Sequence, residues 1–372
     1  MSPSKQAKLS MAPLCEDTMS VYLVTGGAGF IGYHVCDYIL KTKPDVKVVC
    51  VDRLDYCSKE PEFANTRFAF EKAEITDAGE MMRIFIHHKV DAVLHLAAQT
   101  HVDNSFGNSF TFTSSNVFGT HVLLETCKVL HPQVKRFLHI STDEVYGENL
   151  GGPGHVFTEG DTLEPTNPYS ATKAAAEHIV KAYSRSYGIP VIMARPNNVY
   201  GPRQFPEKVI PKFTRQLQAG KPLTVHGAGQ SRRSFLYCTD IAEALVDFCL
   251  LRGTIGEVYN VGSSNKAVTV VELSEELMDI FKVGKDKRER AFVEDRAYND
   301  QRYDISSAKL HALGWQPRVS WRQGLENTVQ WYMEHKPGYW HNEEQAIVAH
   351  PRMTGVTGDH SIEEMSKFNT ST

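Results

Sequence analysis

Strand-like apolar runs alternate with helix-like segments through the first two hundred residues of this chain. The strand-like runs are VYLVTGG at 21–27, VKVVCVD at 46–52, DAVLHLAA at 91–98, KRFLHIST at 135–142 and PVIMARP at 190–196. Amphipathic segments at 116–130 and 170–188 separate the later runs. Strands that are apolar throughout are typical of a parallel sheet that helices cover on both faces. We therefore predict an α/β protein with a doubly wound parallel sheet.

The turn after the first strand is rich in glycine. In VTGGAGFIG the glycines fit G-x-G-x-x-G and also G-x-x-G-x-x-G, the latter at Gly26, Gly29 and Gly32. Between a strand and a helix, such a turn lets the backbone approach a dinucleotide pyrophosphate. The next strand ends at Asp52, which can bind an adenosine ribose and would repel a 2′-phosphate. These features predict a Rossmann-type site for NAD, with NADP as the alternative because Arg53 follows directly.

The regular alternation of strands and helices ends after Pro196. The segment GPRQFPEKVIPKF contains three prolines, and later β-like pieces such as PLTVHG and EVYNVG mix with helices such as 269–281. This change predicts a smaller, mixed α/β substrate domain at the C-terminal side. We expect a disordered arm at 1–19, an NAD-binding Rossmann domain at 20–200 to which the chain returns around 234–262, a mainly substrate-binding domain at 201–340, and a flexible tail at 341–372.

Charge and cysteine content narrow the class of protein. The net charge of −4 and pI near 6.5 give no support for nucleic-acid binding. The seven cysteines are odd in number and form no CxxC pair, which favours buried free thiols in a reducing compartment. No uncharged apolar run approaches the roughly 18 residues of a membrane span, and the N-terminal residues lack the apolar region of a signal peptide. We expect a cytoplasmic protein without a membrane partner.

Two adjacent carboxylates follow the strand FLHI. In HISTDEVYG, Asp143 and Glu144 come directly after Ser141 and Thr142. A surface turn is the simplest explanation of such a pair. Because neighbouring side chains of a strand point to opposite faces, both acids can face one ligand only if the chain leaves the strand at Asp143. In that case the pair can supply an acid and a base, provided that their pKa values are driven apart.

A tyrosine and a lysine stand four residues apart at the start of a predicted helix. In NPYSATKAAAEH, Tyr169 and Lys173 share one helix face. A free phenol has a pKa near 10, so a base at neutral pH needs a pKa lowered by roughly 3 units, or about 4 kcal/mol. A neighbouring ammonium and a nicotinamide ring would favour the phenolate. The same spacing at Tyr332 and Lys336 lies in an aromatic stretch far from the predicted sheet, which favours a structural role there.

Several motifs together resemble the extended short-chain dehydrogenase/reductase superfamily. They are TGGAGFIG, HLAA, the Ser141–Thr142 strand end and YSATK, and the resemblance covers residues 20–335. STDEVYG resembles the signature of the nucleotide-sugar 4,6-dehydratases in that superfamily. LAAQTHVDNSF, NPYSATKAAAE, NNVYGPRQFPEKVIPKF, YNVG and NDQRYD are similar to the same enzymes, including the N-terminal half of plant UDP-rhamnose synthases.

The resemblance implies that the acid pair performs an elimination. Tyr169, assisted by Lys173, would remove the O4 proton of a nucleotide-diphosphate glucose while NAD takes the C4 hydride, and Thr142 would hydrogen-bond the sugar. With a ketone at C4, Glu144 would remove the C5 proton and Asp143 would protonate the departing C6 hydroxyl. Hydride would then return to C6. The product would be a 4-keto-6-deoxy sugar nucleotide, with NAD regenerated.

The resemblance also implies two sets of binding residues. The expected cofactor-binding residues are Gly26, Gly29, Phe30, Ile31, Gly32, Asp52, Glu74, Ile75, Leu96, Ala97, Ala98, Asn116, Ser141, Tyr169 and Lys173. The expected substrate-binding residues are Thr142, Asn198, Lys208, Arg233, Asn260 and Arg296. Cations and amides suit a diphosphate, although a solvated surface charge is the alternative for each cation. At Glu74 the chain departs from the family, in which Asp is usual.

Two further expectations concern metals and partners. His87, His88, His95 and His101 form no ligand-spaced set, so core or surface roles are favoured and no metal is expected. The helices at 116–130 and 170–188 carry apolar stripes. The resemblance implies that such helices pair across a homodimer, whereas packing on their own sheet is the alternative.

The sequence leaves the substrate open. Likeness to the rhamnose-synthase half favours UDP-glucose, and thus a place in rhamnose biosynthesis, over dTDP-glucose. One methyl group is worth only about 1–3 kcal/mol in a pocket, so both nucleotides stay possible. A 4-epimerase or decarboxylase on the same fold is the nearest rival, but it leaves Asp143 and Glu144 unexplained. A non-catalytic NAD-binding sensor is a further alternative; such proteins commonly lose the tyrosine or the lysine, and this chain keeps both.

Overall fold

The structure is a computed structural model that describes residues 19–149, 155–263, 267–295, 304–341 and 343–349. The strands are β1 Val21–Thr25, β2 Lys47–Asp52, β3 Phe68–Lys72, β4 Ala92–His95, β5 Arg136–Ile140, β6 Val191–Pro196, β7 Asn198–Tyr200, β8 Leu223–His226, β9 Arg232–Arg233, β10 Phe235–Tyr237, β11 Val258–Val261, β12 Val268–Thr269 and β13 Arg290–Val293. The helices are α1 Phe30–Thr42, α2 Ala78–His88, α3 Val102–Gly107, α4 Ser109–Phe112, α5 Gly119–Val129, α6 Pro168–Tyr187, α7 Val209–Gln218, α8 Cys238–Glu243, α9 Val270–Ile280, α10 Ala308–His311 and α11 Trp321–Glu334.

Short 3₁₀ and π-helical pieces complete these elements. The 3₁₀ turns are Asp143–Tyr146, Lys285–Lys287 and Glu343–Gln345, and the π-helical segments are Thr113–Phe118 and Ala244–Leu250. The predicted N-terminal arm, except for Met19, lies outside the described residues, as does most of the predicted tail. Within the described part of the chain, none of the helices combines the length and the apolar character that a bilayer crossing requires.

The main sheet is parallel, as the apolar runs predict. Within the described residues it has seven strands in the order β11-β6-β5-β4-β1-β2-β3. β1 pairs in parallel with both β2 and β4, so Val24 lies opposite Cys50 on one side and Leu94 on the other. The strand order reverses at β1, and this reversal opens a crevice at the carboxyl ends of the strands. The doubly wound Rossmann-type fold is therefore confirmed.

Both faces of the sheet are buried. Val24 and its neighbours in register pack with α1, α8 and the π-helical segment Ala244–Leu250 on one face. Leu23, Val49 and Val93 alternate to the opposite face, where they pack with α2, α5 and α6. Since the side chains on both faces of the sheet are fully buried, these strands are apolar throughout and do not alternate between apolar and polar residues.

The sequence pattern predicts one edge of the sheet but not the other. β3, with the sequence FAFEK, is only partly buried, and its charged residues hid it from a search for apolar runs. β11 forms the opposite edge, so the chain returns to the sheet within 234–262 after it has built other elements. The predicted helix at 116–130 is in fact π-helical up to Phe118 and α-helical from Gly119.

The second group of elements begins where β6 ends. β7 follows β6 after one residue and pairs in parallel with β10. Two more short sheets, β8 with β13 and β9 with β12, lie next to helices α7 and α9, and α11 packs on both of these helices. Because this group starts at the carboxyl end of a sheet strand, its elements are placed to close over the crevice.

A buried ion pair ties the sheet to α6. Arg195 of β6 donates to both carboxylate oxygens of Glu177 at 2.6 and 2.8 Å, and both side chains are almost completely buried. Arg195 also donates to the Tyr146 hydroxyl at 2.6 Å, and that hydroxyl donates to Asn260 at 2.8 Å. This network connects β6, α6, β11 and the turn that follows β5.

We predict that Glu177→Ala destabilises the fold strongly. The substitution leaves the Arg195 guanidinium buried without its carboxylate, which costs about 3–5 kcal/mol of the free energy of unfolding. As a matched control, Arg322→Ala breaks an exposed pair with Glu326 and should change that free energy by at most about 0.5–1 kcal/mol. Urea denaturation of the three proteins measures both effects, and equal losses in the two variants would contradict the role of the buried pair.

Candidate active site

A cleft with a cavity of about 290 Å³ lies at the carboxyl ends of the sheet strands. Every predicted cofactor-binding residue except Asn116 lines it. Asn116 is buried behind the wall instead, where its amide accepts from the Gln99 N–H at 2.7 Å and donates to the Gln99 carbonyl at 3.0 Å. It therefore holds the loop after β4 in place, and its contact with the cofactor stays a prediction.

The glycine-rich turn is shaped for a close ligand. An added Cβ at Gly32 would lie 2.1 Å from the Gly26 carbonyl oxygen, so only glycine lets α1 pack on the turn. Gly26 itself has a φ of +69°, and a Cβ there would meet the Ala97 backbone at 2.8 Å. No side chain caps α1 at Gly29, so its first backbone N–H groups are available to a phosphate. The turn thus fits the pyrophosphate of a dinucleotide.

The charged residues after β2 bear on the choice of dinucleotide. Asp52 accepts hydrogen bonds from the backbone N–H groups of Ala28 at 3.1 Å and Leu54 at 2.8 Å, and burial raises its pKa above the ordinary value. Arg53 donates to both oxygens of Glu74 at 3.2 Å and also pairs with Asp55. The guanidinium that could have bound a 2′-phosphate is therefore already held by two carboxylates. The longer side chain at Glu74, where the family usually has Asp, makes this pairing.

The chain leaves β5 before it reaches the two acids. β5 ends at Ile140, and Asp143–Tyr146 form a 3₁₀ turn. The Thr142 hydroxyl accepts from the Glu144 N–H at 3.3 Å and so caps this turn. Gly147 ends it with a φ of +78°, at a point where a Cβ would lie 2.1 Å from the Glu164 carbonyl oxygen. The condition for both acids to face one ligand is met, because Asp143 and Glu144 both line the cleft.

The two acids lie in different environments. Asp143 is 2% exposed, and its Oδ2 accepts from the Asn197 amide at 2.7 Å. Burial, together with the charge of Glu144, raises the pKa of Asp143 to about 7, although Asn197 and Arg233 act in the opposite direction. Glu144 is less buried and accepts from the Asn167 amide at 3.4 Å. A carboxyl group with a pKa near 7 can give up a proton at neutral pH.

A capping box positions the tyrosine and lysine. Asn167 caps α6 and exchanges hydrogen bonds with Ser170, and Pro168 starts the helix. This start places Tyr169 in the first turn and Lys173 one turn later, and both line the cleft. Lys173 donates to the Ile140 carbonyl at 2.5 Å, and burial lowers its pKa to about 8.

The protein does not by itself lower the pKa of the phenol. Burial raises the pKa of Tyr169 and the charge of Glu144 adds to this, whereas a hydrogen bond with Thr142 opposes it. The expectation that a neighbouring ammonium and a nicotinamide ring together favour the phenolate stays a prediction. The second Tyr-x-x-x-Lys pattern lies elsewhere: Tyr332 packs in an aromatic cluster with Phe205 and Trp340 and lines neither of the cavities described here.

A second cavity of about 200 Å³ adjoins the first. Glu144, Asn198 and Lys208 line both cavities, and Arg233 lines the second one. Lys208 donates to the Thr100 carbonyl at 3.2 Å. The structure thus brings Asn198, Lys208 and Arg233 of the predicted substrate-binding set to one place, next to the acid pair.

Two members of the predicted substrate-binding set are not brought there. Asn260 is completely buried, where its Oδ1 accepts from the Tyr146 hydroxyl and its Nδ2 donates to the Phe157 carbonyl, and its contact with the substrate stays a prediction. Arg296 lies outside the described residues.

The residues that line the cleft but were not selected from the sequence include Asn197, Glu207 and Tyr56. The Tyr56 hydroxyl donates to the buried carboxylate of Glu207 at 2.8 Å. Glu207 precedes Lys208 in FPEKVIPKF, and Asn197 precedes Asn198 in PNNVY. Each therefore adjoins a residue that was predicted to bind the substrate, and this adjacency could have identified both. No comparable signal marks Tyr56, whose contact depends on a residue far along the chain.

Together, the doubly wound sheet, the glycine-rich turn at its switch point and the tyrosine–lysine pair define a protein of the short-chain dehydrogenase/reductase class. A family model described as GDP-mannose 4,6 dehydratase matches residues 23–328. The chain therefore belongs to the nucleotide-sugar 4,6-dehydratase family of that superfamily.

Individual relatives agree with this family. The trifunctional UDP-glucose 4,6-dehydratase/UDP-4-keto-6-deoxy-D-glucose 3,5-epimerase/UDP-4-keto-L-rhamnose-reductase of Arabidopsis thaliana is 49% identical over 341 residues, which cover 90% of this chain and 50% of the relative. The chain thus spans about half the length of that relative. The dTDP-D-glucose 4,6-dehydratase of Mus musculus is 43% identical over 337 residues, 88% of this chain and 93% of the relative. DesIV, a dTDP-glucose 4,6-dehydratase of Streptomyces venezuelae solved with NAD and TYD bound, has a TM-score of 0.80 and 37% identity, covering 87% of this chain and 99% of its own.

We predict that Asp143→Asn stabilises the folded protein above pH 7. The folded pKa of Asp143, about 7, lies above its ordinary value of 3.8, so its contribution to stability is complete below pH 3.8 and is lost as the pH rises through 7. The variant does not lose this stability. The free energy of unfolding of the variant minus that of the wild type should therefore increase between pH 4 and pH 8 by an amount on the order of 4 kcal/mol. Urea denaturation at both pH values measures it.

Asp161→Asn is the control for that experiment. Hydrogen bonds from Thr158 lower the pKa of Asp161, so its contribution to stability is present at high pH and lost as the pH falls. Its removal should therefore have the opposite pH dependence. An Asp143→Asn protein whose advantage is the same at pH 4 and pH 8 would show that Asp143 is not held protonated by the fold.

Proposed function

We propose that this protein is an NAD-dependent 4,6-dehydratase of a nucleotide-diphosphate glucose. The observation that carries the proposal is the 3₁₀ turn after β5, which presents Asp143 and Glu144 together to the cleft beside Tyr169 and Lys173. An elimination across C5 and C6 needs a base and an acid at the same time. Two adjacent carboxyl groups in unequal environments supply both.

We propose that NAD binds along the first cavity. The residues that would hold it are the glycine-rich turn for the pyrophosphate, Asp52 for the adenosine ribose, Ile75 for the adenine, and Tyr169 with Lys173 at the far end. NAD, when bound, supplies a reversible acceptor for hydride. The pairing of Arg53 with Glu74 and Asp55 supports NAD over NADP, because a 2′-phosphate would have to compete with two carboxylates for this guanidinium.

The roles in oxidation fall to the groups on α6 and at the end of β5. Tyr169 acts as the phenolate and accepts the proton of the C4 hydroxyl to become a phenol, and the Thr142 hydroxyl next to it hydrogen-bonds the same sugar oxygen. Lys173, held by the Ile140 carbonyl, places its ammonium one helical turn from Tyr169 and can bind a ribose hydroxyl. With a pKa lowered to about 8, Lys173 stays mostly protonated at neutral pH, and its positive charge near Tyr169 favours the phenolate that accepts the proton.

The roles in elimination fall to the acid pair. Once C4 is a ketone, the C5–H bond is acidic, and Glu144 accepts that proton. The C6–O bond breaks as Asp143 donates its proton to the leaving oxygen, which departs as water. The pKa of Asp143 near 7 supports this assignment, because a fraction of the carboxyl groups remains protonated at neutral pH. Glu144, which is less buried, is the better candidate for the ionised base.

We propose UDP-glucose as the preferred substrate and dTDP-glucose as the alternative. The preference rests on similarity, since the UDP-glucose 4,6-dehydratase relative is 49% identical and the mouse dTDP-glucose enzyme 43%. Asn198, Lys208 and Arg233 would bind the diphosphate in the second cavity. If UDP-glucose is the substrate, a place in rhamnose biosynthesis follows, with epimerase and reductase activities acting on the product.

Two rival functions explain less of the site. A 4-epimerase needs only the tyrosine and the cofactor, and it gives no reason to bury Asp143 in the cleft beside a second carboxylate. A non-catalytic sensor gives no reason to hold Tyr169 and Lys173 in the same cleft.

We further propose a homodimer through α5 and α6, which is supported by the exposed apolar side chains of Phe118 and Val129. A cytoplasmic location stays a prediction.

The direct test is incubation of the purified protein with UDP-glucose and with dTDP-glucose in separate reactions. Mass spectrometry should report a product lighter by one water, with no net change in the amounts of NAD and NADH. Faster conversion of UDP-glucose supports the preferred substrate, and faster conversion of dTDP-glucose reverses that choice. A C4 epimer of unchanged mass would replace the proposed function with epimerisation.

We predict that Glu144→Gln separates oxidation from elimination. The variant lacks a base for the C5 proton but keeps Tyr169 and Lys173, so NADH absorbance should appear on mixing with substrate while water loss falls by at least about 100-fold. Glu334→Gln, at the exposed end of α11, is the matched control and should behave as the wild type. Dehydration by Glu144→Gln at the wild-type rate would remove Glu144 from the mechanism.

We predict that Tyr169→Phe stops the reaction one step earlier. Without the phenol the C4 hydroxyl has no proton acceptor, so neither NADH absorbance nor water loss should be seen above about 1% of the wild-type rate. Tyr187→Phe removes a hydroxyl from the last turn of the same helix and serves as the control. Normal NADH formation by Tyr169→Phe would mean that another group accepts the O4 proton.

A further inference from the structure

Asn197 lies between β6 and β7, directly beside Asp143. Its Nδ2 donates to Asp143 Oδ2 at 2.7 Å, and the side chain is 6% exposed. This bond is shorter than the hydrogen bond of 3.3 Å that the Thr142 hydroxyl donates to Asp143 Oδ1. Asn197 therefore has a firm contact with the proposed acid of the elimination step.

The orientation of the Asn197 amide is fixed by the backbone. The Ser263 N–H donates to Asn197 Oδ1 at 3.2 Å. A backbone N–H can only donate, so the carbonyl side of the amide must face Ser263 and the NH₂ side must face Asp143. Gly262 permits this approach, because a Cβ there would lie 2.6 Å from Asn197 Oδ1.

This orientation determines which oxygen of Asp143 can carry a proton. The NH₂ group of Asn197 can donate a hydrogen bond but cannot accept one, so Asp143 Oδ2 must remain a hydrogen-bond acceptor. A proton on Asp143 is then placed on Oδ1. Oδ1 is the oxygen that the Thr142 hydroxyl approaches at 3.3 Å, and Thr142 lines the cleft.

We propose that Asn197 is a positioning residue for the elimination step: it reserves Oδ2 of Asp143 as an acceptor and so directs the acidic proton to Oδ1, on the Thr142 side. This inference rests on the proposed function, in which Asp143 protonates the leaving hydroxyl. Asn197 itself gives up no proton and breaks no bond.

The charges around Asp143 make the same bond important for acidity. Glu144 on the same turn and Tyr169 on α6 face it, as does Arg233 on β9. Burial and Glu144 raise the pKa of Asp143, and the hydrogen bond from Asn197 is the first of the influences that lower it. Without that bond Asp143 holds its proton more tightly and becomes a weaker acid.

The kinetic test compares oxidation with elimination in Asn197→Ala. We expect water loss to slow by about 10–100-fold, which corresponds to the loss of one hydrogen bond to a charged group, while the rate of NADH appearance stays within about twofold. The alkaline limb of the elimination rate should move up by about one pH unit. Equal losses in oxidation and elimination with an unmoved alkaline limb would show a merely structural role and overturn the proposal.

A second variant keeps the size of the side chain. Asn197→Asp can still accept from the Ser263 N–H, but it places a carboxyl group where the amide donor was. It should raise the pKa of Asp143 further and move the alkaline limb beyond that of Asn197→Ala. If Asn197→Asp behaves as the wild type in both rate and pH profile, the hydrogen bond that Asn197 donates to Asp143 has no role in elimination, and the proposal is overturned.

A readout that needs no turnover separates this proposal from the proposed function. Infrared difference spectra of ¹³C-aspartate protein, wild type minus Asp143→Asn, give the titration midpoint of the Asp143 carboxyl. The midpoint should rise in Asn197→Ala, whereas Asn108→Ala, which removes another buried asparagine that lines neither cavity, should leave it unmoved. An unmoved midpoint in Asn197→Ala overturns the positioning role. A raised midpoint in a protein whose wild type dehydrates neither sugar nucleotide supports the control of the Asp143 proton by Asn197, but it overturns the proposed function and with it the part of Asn197 in elimination.

Discussion

The point at which the chain leaves β5 is the constraint on which the active site depends. In an extended strand Asp143 and Glu144 would point to opposite faces of the sheet, one of them into the core. The structure avoids this because β5 ends at Ile140, the Thr142 hydroxyl caps a 3₁₀ turn, and Gly147 ends that turn in a conformation that favours glycine. The hydroxyl of Tyr146, at the end of the turn, accepts a hydrogen bond from Arg195 and donates one to Asn260. The buried ion pair of Arg195 with Glu177 therefore supports the geometry of the acids, although neither residue lines the cleft.

Burial acts on the titratable groups of the cleft in one consistent way, since it disfavours whichever form is charged. It raises the pKa values of Asp143 and Tyr169 and lowers that of Lys173. For Asp143 this shift is useful to the proposed reaction, because the step needs a carboxyl group that is still protonated near neutral pH. For Tyr169 it acts against the proposed reaction, because the phenol has to accept a proton. The two steps thus make different demands on the same low-dielectric site, and only polar neighbours such as Thr142 and Asn197 adjust each group separately.

The sequence predicted those parts of the fold and site that short segments determine. Apolar runs identified the central strands, since both of their faces are buried, whereas β3 escaped because it is a half-buried edge strand with charged residues. The glycine-rich turn and the start of α6 were recognisable because each is a local motif that carries its own capping or turn residues. Asn116 and Asn260, which the resemblance places in the two binding sets, line neither cavity, since a motif contains residues that support a cavity wall as well as residues that line it. Contacts such as Asn197 with Ser263 and Tyr56 with Glu207 join segments far apart in the chain, so no local pattern could reveal them.

The two cavities together determine where a hexose would lie. A dinucleotide fits the first cavity, because the glycine-rich turn and Asp52 are found there, and the cations Lys208 and Arg233 suit a diphosphate in the second. A sugar attached to that diphosphate has to reach the boundary between the cavities if its carbon atoms are to meet the nicotinamide end of the cofactor. Glu144 and Asn198 line both cavities and so mark this boundary. Under the proposed function, the acid pair would stand where oxidation at one carbon and water loss at its neighbours occur without movement of the sugar. A chain that only oxidised and reduced a single carbon would have no use for a second carboxylate at that boundary.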